Sequence, residues 1–532
     1  METFKNFSDS IVSSSVLQPL IVGEPKLRGQ VIDCQKKLTR YLKDQVKTDG
    51  SVRDVCKSRV LESSLMLHLL TIQEIYPNCQ YQLTHYLTTQ LDKEHNNKFH
   101  KALIIGALRK SIPEDAQVVE DYMTGFQHFT ASRKRVLFRA ILAELGVMPY
   151  DNQYQIEHFF YRGYQSWVAA EICALKVLYA FGLNYRKWIN HDDVEFLLAT
   201  QNNNSIWEKH VLANIIILLA LQKFPEHHHV VLKGINNLLS CQNSDGGFPF
   251  IASFEIFCTA TAGVALTDSG ADIETLTLLQ MAEYIVGQQQ SDGGWAYAEG
   301  VRQTDVDDSC FCLEFLRAVN PQKYKEYISK AEAYLLAIQN EDGGFPTFVR
   351  GNSSEITMTA AALNALAPRC TEYRNVFELG LRYITSQQKF DGSFERSWSL
   401  SEAQAIFRSV LAMRTCKVVQ SAQLLESIYT AEAKALDYLR KSQNSDGGWG
   451  HQLGDTSDVI STSYTLIALS SLGDAETLRR GTHYLMLQQD EEGKFVSIPD
   501  QAAPRPIPYD VPILTSIFAL LALKYTAAMI AE

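Results

Sequence analysis

The chain of 532 residues is too long for one ordinary hydrophobic core, so we expect two or more domains. Hydrophobic residues make up 46% and charged residues 20%, which excludes a disordered chain. A formal net charge of -11 gives no support for a basic nucleic-acid-binding surface, so nucleic acid is not an expected partner.

The N-terminal region and the apolar runs bear on the cellular location of the protein. The first thirty residues lack an apolar stretch followed by a small-residue cleavage site, so we expect no secretory signal and a cytoplasmic location. The runs Val211 to Leu221 and Ile513 to Leu523 are shorter than the roughly 20 residues that a membrane span needs. They are predicted to be buried helices, and weak membrane association stays open. The sequence does not indicate an oligomeric state.

The ten cysteines are scattered and contain no Cys-x-x-Cys pair. They are expected to be buried thiols in a reducing compartment.

A repeated motif, Gln-x-x-Asp-Gly-Gly-aromatic, organises the second half of the chain. Its copies begin at Gln242, Gln289, Gln339, Gln388 and Gln443, with a degenerate copy at Gln489. The acidic positions are 46 to 55 residues apart, which is typical of a helical-hairpin repeat. Glycines allow a positive φ at the turn, the aromatic residue packs between helices, and the glutamine can bridge to a helix end. The repeats predict an all-α fold, a closed α/α barrel with negligible strand content.

Residues 40–225 carry weaker versions of this pattern, in Asp49-Gly50-Ser51-Val52 and between Gln201 and Trp207. They predict a second, diverged helical domain. A boundary between Phe224 and His229 is indicated by a proline and a polar histidine triplet.

A run of three acids, Asp305, Asp307 and Asp308, lies just after the repeat that ends in Trp295. Carboxyl groups crowded into a poorly hydrated site raise one another's pKa, so one of them can stay protonated at neutral pH. A protonated carboxyl is a proton donor. The alternative is that Thr304 or Asp305 merely caps the following helix, although capping alone does not call for three acids.

The repeat ladder together with Asp-x-Asp-Asp resembles the class II terpene cyclases, which include squalene-hopene cyclases and bacterial copalyl and halimadienyl diphosphate synthases. The resemblance covers most of the chain. It implies two α-barrel domains, β and γ, with residues 1–38 as the N-terminal helix of β, 39–225 as γ, and 226–532 as the rest of β. An Asp-Asp-x-x-Asp motif of the metal-dependent class I domain is absent from the sequence.

The resemblance also implies roles for the three acids. Asp307 is expected to donate the proton, while Asp305 and Asp308 polarise it or hold its conformation. Protonating an isolated alkene needs a strong acid in a dry pocket, and aromatic faces can stabilise the resulting carbocation. The aromatic candidates, each also compatible with a core position, are Trp295, Tyr297, Phe311, Trp398 and Tyr509, with Phe159, Phe160 and Tyr161 from the second domain.

The partner of the acid departs from the family pattern. Triterpene cyclases orient the acid with a downstream histidine, yet this chain has no histidine between His229 and His451, so a squalene-type enzyme is less favoured. Diterpene-type relatives use an asparagine after the third repeat, and this chain has Thr359 at the matching place, which makes Thr359 the acid-orienting candidate.

The head-group site departs from the pattern as well. Diterpene-type relatives tend to carry an acidic Mg²⁺-diphosphate motif in the γ domain, but the corresponding segment here contains Lys57 and Arg59. Lys57, Arg59 and Arg396 are therefore candidates for binding a diphosphate by charge. Alternatively, the substrate carries no diphosphate, as in meroterpenoid cyclases acting on a prenylated aromatic acid. No protein metal ligands are assigned, proton donation is expected to need no cofactor, and Mg²⁺ stays open for a diphosphate substrate.

A different enzyme class shares this barrel. The β subunits of protein prenyltransferases bind zinc through Asp-x-Cys and a later histidine, and Asp308-Ser309-Cys310 matches the first half only. A non-enzymatic binding toroid would have no use for an acid triplet. The sequence thus predicts a protonation-initiated cyclase of a linear polyprenyl substrate, with geranylgeranyl diphosphate as the first choice and a fused-ring diterpenyl diphosphate as the product.

Overall fold

The computed structural model describes residues 21–22, 24–93, 97–110, 117–268, 276–414, 419, 421–472, 474–503 and 506–530. The chain divides into two compact units, of which the smaller is Val55–Ser253 and the larger contains the residues on either side of it. The boundaries expected at residues 38 and 225 differ from this division. The expected boundary at residue 38 lies inside helix Pro25–Gln45. The expected boundary at residue 225 lies between two helices that pack against each other, Val211–Leu221 and His228–Leu239.

The helices are numbered here in chain order. The larger unit begins with α1 (Pro25–Gln45). The smaller unit contains α2 (Val60–Gln73), α3 (Pro77–Lys93), α4 (Lys98–Ala107), α5 (Gln117–Tyr122), α6 (Ala131–Glu144), α7 (Ser166–Gly182), α8 (His191–Ala199), α9 (Val211–Leu221) and α10 (His228–Leu239). The larger unit continues with α11 (Glu255–Asp268), α12 (Leu276–Gly287), α13 (Val306–Val319), α14 (Lys325–Ile338), α15 (Ile356–Leu366), α16 (Arg374–Gln387), α17 (Glu402–Met413), α18 (Ala422–Lys441), α19 (Val459–Leu472), α20 (Ala475–Leu487) and α21 (Ile513–Met529).

The larger unit is a closed α/α barrel. Its inner ring is formed by α11, α13, α15, α17, α19 and α21, each of which contacts the next, and α21 returns to contact α11. The outer helices α12, α14, α16, α18 and α20 each pack on an inner neighbour, and α1 packs on α21. Outer helices bury one stripe, as α16 does with Phe377, Gly380, Leu381 and Ile384, whereas α15 is buried on almost every side.

The repeat turns join an inner helix to the preceding outer one. In the second copy, Gly293 has a φ of +93°, and a Cβ there would lie 2.5 Å from the backbone oxygen of Lys330. Gln289 Nε2 donates to the oxygen of Gly293 at 2.9 Å and to that of Tyr327, in the first turn of α14, at 3.0 Å. The same two-acceptor arrangement recurs at Gln339, Gln388, Gln443 and Gln489. In these five turns, glutamine therefore links the turn to a helix outside the inner ring.

The smaller unit is also helical. Helices α2, α4, α6, α7 and α9 contact one another in turn, and α9 closes the ring onto α2. Two short strands of this unit, β1 (Ser58–Arg59) and β2 (Phe248–Pro249), pair antiparallel. The all-α prediction with negligible strand content is confirmed for the part of the chain that the structure describes.

The two apolar runs are buried helices, as predicted. All residues of Val211–Leu221 are buried, and so are those from Ile513 to Leu523. Among the helices of the described ranges, none is long and apolar enough to cross a membrane. None of the nine cysteines in these ranges forms a disulfide, and Cys416 lies outside them.

Candidate active site

The three acids lie at the start of the inner helix α13, and Asp305 is its N-cap. Its Oδ1 accepts a hydrogen bond from the backbone N–H of Asp308 at 2.8 Å. Thr304 does not share this role, since its hydroxyl donates to Asp292 Oδ2 at 2.7 Å. The capping alternative therefore describes Asp305 and leaves the other two acids unexplained.

Asp307 has a different partner from the other two acids. Its Oδ1 lies 2.9 Å from Nη1 of Arg408, on α17, and its side chain keeps 17% of its surface exposed, against 5% for that of Arg408. Asp305 and Asp308 are instead buried and interact with each other. The acid triplet thus consists of a buried capping pair and one carboxyl paired with an arginine.

The environment raises the pKa of all three carboxyl groups. Burial raises the pKa of Asp305 to about 6, although hydrogen bonds from Asp308 lower it. Burial, then the Asp305 charge and its hydrogen bond, raises the pKa of Asp308 well above its ordinary value. Burial also raises the pKa of Asp307, where the Arg408 guanidinium acts in the opposite direction and the Glu355 carboxylate adds to the rise. Asp307 is therefore disposed to hold a proton while facing a cation that stabilises its conjugate base.

Arg408 is a member of the site that the sequence analysis did not identify. Its guanidinium carbon lies 4.8 Å from the ring centroid of Phe311 and 5.8 Å from that of Phe407. Its buried Nε and Nη2 find no hydrogen-bond acceptor among the described residues. Two aromatic faces and Asp307 thus hold this cation. The available signal was an arginine inside the apolar stretch Ala405-Ile-Phe-Arg-Ser-Val-Leu411, because arginine is rarely buried unless it is paired.

Glu355 is a second residue that sequence reasoning missed. It precedes α15, is buried, and accepts hydrogen bonds from the Thr347 hydroxyl and from Trp398 Nε1, the latter at 2.9 Å. Trp398 also packs edge-on against Phe348, with ring centroids 5.7 Å apart. Trp398, an expected pocket residue, therefore belongs to the surroundings of this carboxylate.

Three of the predicted aromatic residues join one cluster around the acid. Phe311 lies one turn after Asp307, and its ring meets that of Phe257 at 5.4 Å in a T-shaped contact. Phe257 contacts Phe254, which in turn contacts the expected residues Tyr297 and Tyr509. The cluster continues through residues not expected from the sequence, which are Phe518, Tyr464 and Phe407.

Trp295 and Thr359 lie elsewhere. The fully buried Trp295 donates its indole N–H to the backbone oxygen of Ile285, in α12, at 2.7 Å, so it packs towards the outer layer. The Thr359 hydroxyl donates to the oxygen of Glu355 and accepts from the N–H of Phe345. These bonds belong to the repeat turn, and Arg408 takes the place beside the acid that was expected for Thr359.

The basic candidates and the second-domain aromatics are spread over both units. In the smaller unit, Arg59 Nη1 lies 2.9 Å from Glu62 Oε1, while Lys57 is exposed. In the larger unit, Arg396 donates to the oxygen of Leu400 at 2.6 Å. Phe159 is buried in the smaller unit, Phe160 is exposed, and Tyr161 donates to Asp193.

No three His, Cys, Asp or Glu side chains converge as a metal site within the described ranges. The zinc alternative built on Asp308 and Cys310 therefore has no ligand set there. Burial raises the pKa of the Cys310 thiol well above its ordinary value.

Comparison with known proteins gives concordant results. The prenyltransferase alpha-alpha toroid domain matches residues 147–303, 211–346 and 308–496. The chain is 41% identical over 503 residues to a drimenyl diphosphate synthase of Streptantibioticus cattleyicolor, covering 92% of this chain and 94% of the relative. A drimenyl diphosphate synthase of Streptomyces showdoensis is 39% identical over 512 residues, covering 94% and 95%.

A solved structure shares the fold over nearly the whole chain. The ent-copalyl diphosphate synthase from Streptomyces platensis aligns with a TM-score of 0.53 at 14% identity, covering 94% of this chain and 99% of that one. The chain therefore belongs to the prenyltransferase alpha-alpha toroid family and, within it, to the class II terpene cyclases.

Proposed function

We propose that this class II terpene cyclase converts a linear polyprenyl diphosphate into a bicyclic diphosphate, with Asp307 as the proton donor. The single observation that carries the proposal is the Asp307–Arg408 pair inside the ring of inner helices. An acid whose pKa is raised by burial and which faces a fixed cation suits the task, because the cation stabilises the carboxylate that forms as the proton leaves.

The reaction is an isomerisation. The Asp307 proton forms a new C–H bond at the terminal alkene, and the resulting cation is attacked by the neighbouring alkenes to form two ring C–C bonds. Loss of a proton from a carbon beside the final cation gives an alkene and balances the proton that was donated. The C–O bond to the diphosphate stays intact. The aromatic cluster around Phe311 supplies faces that attract a passing cation without capturing it.

The chain length of the substrate follows from the product. The two relatives that match over more than nine-tenths of this chain are drimenyl diphosphate synthases. We propose the same product here. A drimenyl group has fifteen carbons, so an isomerisation must start from farnesyl diphosphate. Geranylgeranyl diphosphate, which the sequence analysis favoured, is the second candidate and would give a twenty-carbon bicycle by the same steps.

The remaining requirements are proposals of the same kind. Proton transfer from Asp307 needs no cofactor, and Mg²⁺, if it is required, would enter with the diphosphate. Arg396, which lies in the same unit as Asp307, remains a candidate for a contact to the head group, and the role expected of Lys57 stays a prediction. A cytoplasmic location is supported by cysteines that form no disulfide in the described ranges.

The test is product analysis by mass spectrometry with the purified protein. The substrates are farnesyl and geranylgeranyl diphosphates, the matching alcohols, and a prenylated aromatic acid, each with Mg²⁺ and with EDTA. We expect a bicyclic C15 diphosphate, released as drimenol after phosphatase treatment. Turnover of only the diphosphate-free substrates would overturn the diphosphate assignment, and no cyclisation of any substrate would overturn the proposal.

A further inference from the structure

Glu355 occupies the place in its repeat that Asp305 occupies in the preceding one. Each acid pairs by a backbone bridge with the aromatic residue of its turn, Asp305 with Trp295 and Glu355 with Phe345. Asp305 uses its carboxylate to cap its helix, but the Glu355 side chain does not cap α15. Its carboxylate is therefore used for something other than closing the helix.

Two donors contact the Glu355 carboxyl group. The Thr347 hydroxyl donates to Oε1 and the Trp398 indole N–H donates to Oε2. An indole nitrogen can only donate, and a carboxyl group whose two oxygens both accept is favoured as the anion. These bonds fix the position of the buried Glu355 carboxyl group, whose charge raises the pKa of Asp307.

The same bonds tie this charge to the catalytic acid. The backbone N–H of Val306, next to Asp307, donates to the oxygen of Thr347 at 2.9 Å, and the hydroxyl of Thr347 reaches Glu355. The distance between Glu355 and the acid is therefore set by one residue that bonds to both segments.

Asp307 lies between charges of opposite sign. On its own helix it faces Asp305 and Asp308, of which Asp308 holds a proton most tightly, and Cys310, whose thiol stays neutral. From α17 it faces Arg408, and from the start of α15 it faces Glu355. Burial contributes most to the raised pKa of Asp307, Arg408 lowers this pKa, and the Glu355 charge adds to the rise. The Glu355 charge therefore opposes the effect of Arg408 on the proton of Asp307.

We propose that Glu355 is a positioning residue for the acid, whose carboxylate keeps the proton on Asp307 in the presence of Arg408. The inference rests on the proposed function, because it assigns a role in the same proton transfer. It makes Arg408 and Glu355 an opposed pair, in which one residue sets the strength of the acid and the other sets the pH range over which the acid is protonated.

The test is the pH dependence of kcat/KM for cyclisation of farnesyl or geranylgeranyl diphosphate, whichever turns over, by wild type and by Glu355→Gln. Removing the negative charge lowers the pKa of Asp307, so the variant should lose activity at a pH lower by about one unit. Each profile is normalised to that protein's own rate at lower pH, where Asp307 is protonated in both proteins, and the pH values at which activity falls are then compared. The substrate's own ionisation acts equally on both proteins and cancels in the comparison.

Glu332→Gln is the matched control. It removes another buried carboxylate of the same unit, one that lies 2.7 Å from Arg317 and also pairs with Arg369. This variant should lose thermal stability without changing the pH at which activity falls on the alkaline side of the profile, here called the alkaline limb. Should Glu355→Gln fail to fold, Thr347→Val removes one donor to Glu355 and should move the limb in the same direction by a smaller amount.

The outcomes separate the inference from the function on which it rests. A wild-type cyclase whose alkaline limb coincides with that of Glu355→Gln overturns the inference alone. A wild-type protein that cyclises no polyprenyl diphosphate overturns the proposed function and the inference together.

Discussion

Asp307 Oδ1 and Arg408 Nη1 lie 2.9 Å apart although their helices, α13 and α17, are separated in the inner ring by α15. The pair therefore reaches across the interior of the barrel instead of along the wall between neighbouring helices. The rings of Phe311 and Phe407 cover the guanidinium of this pair.

Asp307→Asn should abolish cyclisation while leaving the fold intact. The amide matches the shape of the carboxyl but cannot donate a proton to an alkene, so we expect a loss of roughly 10³-fold or more. Product formation by mass spectrometry and the thermal unfolding midpoint check the two halves of this prediction. Retained cyclase activity in a folded variant would contradict the role of Asp307.

Arg408→Gln should slow turnover and move the alkaline limb of the profile to higher pH. Loss of the cation raises the pKa of Asp307 further, so the proton stays bound to a higher pH but is released less readily. We expect turnover to fall by roughly 10- to 1000-fold. Arg414→Gln is the control, because Arg414 is the C-cap of the same helix, α17, and pairs with Glu432 at 3.1 Å instead of with Asp307. A limb that does not move would argue against an electrostatic role for Arg408.

Asp305→Asn should stabilise the protein at neutral pH. The folded-state pKa of Asp305 is about 6, above the ordinary value of 3.8, so folding at pH 7 forces a buried charge on this group. This cost disappears as the pH falls through about 6 towards 4, where the folded state takes up the proton first. Asparagine caps equally well and carries no charge, so the variant should gain up to about 3 kcal/mol at pH 7.

The difference between wild type and Asp305→Asn should shrink to about a third of its value by pH 4.5 and approach zero only below the ordinary pKa of 3.8. Urea unfolding at the two pH values measures it. Asp305→Ala should show a gain smaller by about 1 kcal/mol, because it also removes the cap. A stability difference that is independent of pH would mean that the pKa of Asp305 is not raised.

Trp295→Phe and Phe311→Leu should have different effects. Trp295 donates to Ile285 in the outer layer, so its loss should lower the free energy of unfolding by about 1–3 kcal/mol and leave the product mixture unchanged. Phe311 contacts both Arg408 and the aromatic cluster, so its loss should lower turnover and change the ratio of products. Equal product ratios in the two variants would contradict this assignment.

The parts of the molecule that could be predicted from sequence are those in which neighbouring residues act together. The Gln-x-x-Asp-Gly-Gly turn is closed by bonds within five residues, so its spacing reveals the helical array. The capping by Asp305 is equally local. Asp307 stood out because an extra acid follows a helix cap.

The partners of the acid could not be predicted in this way. Arg408 and Glu355 come from two other inner helices, and only closure of the ring brings them to Asp307. Thr359 was chosen by its place in the repeat, but its hydroxyl is occupied by the backbone of the turn. Position within a repeat therefore identifies the structural role of a residue more readily than its contacts across the barrel.

The internal repetition of the barrel has a consequence for redesign. Asp305, Glu355 and Asp458 all bridge to the aromatic residue of their own turn, and each immediately precedes an inner helix. The residue two places later is Asp307 in the first case, Thr357 in the second and Ile460 in the third. The fold thus repeats one scaffold at three points of the circumference and carries Asp307, the proposed proton donor, at one of them. Replacing Thr357 or Ile460 by aspartate, in a chain that lacks Asp307, would place the acid at the start of a different inner helix. The substrate would then have to bind in a different orientation to receive the proton.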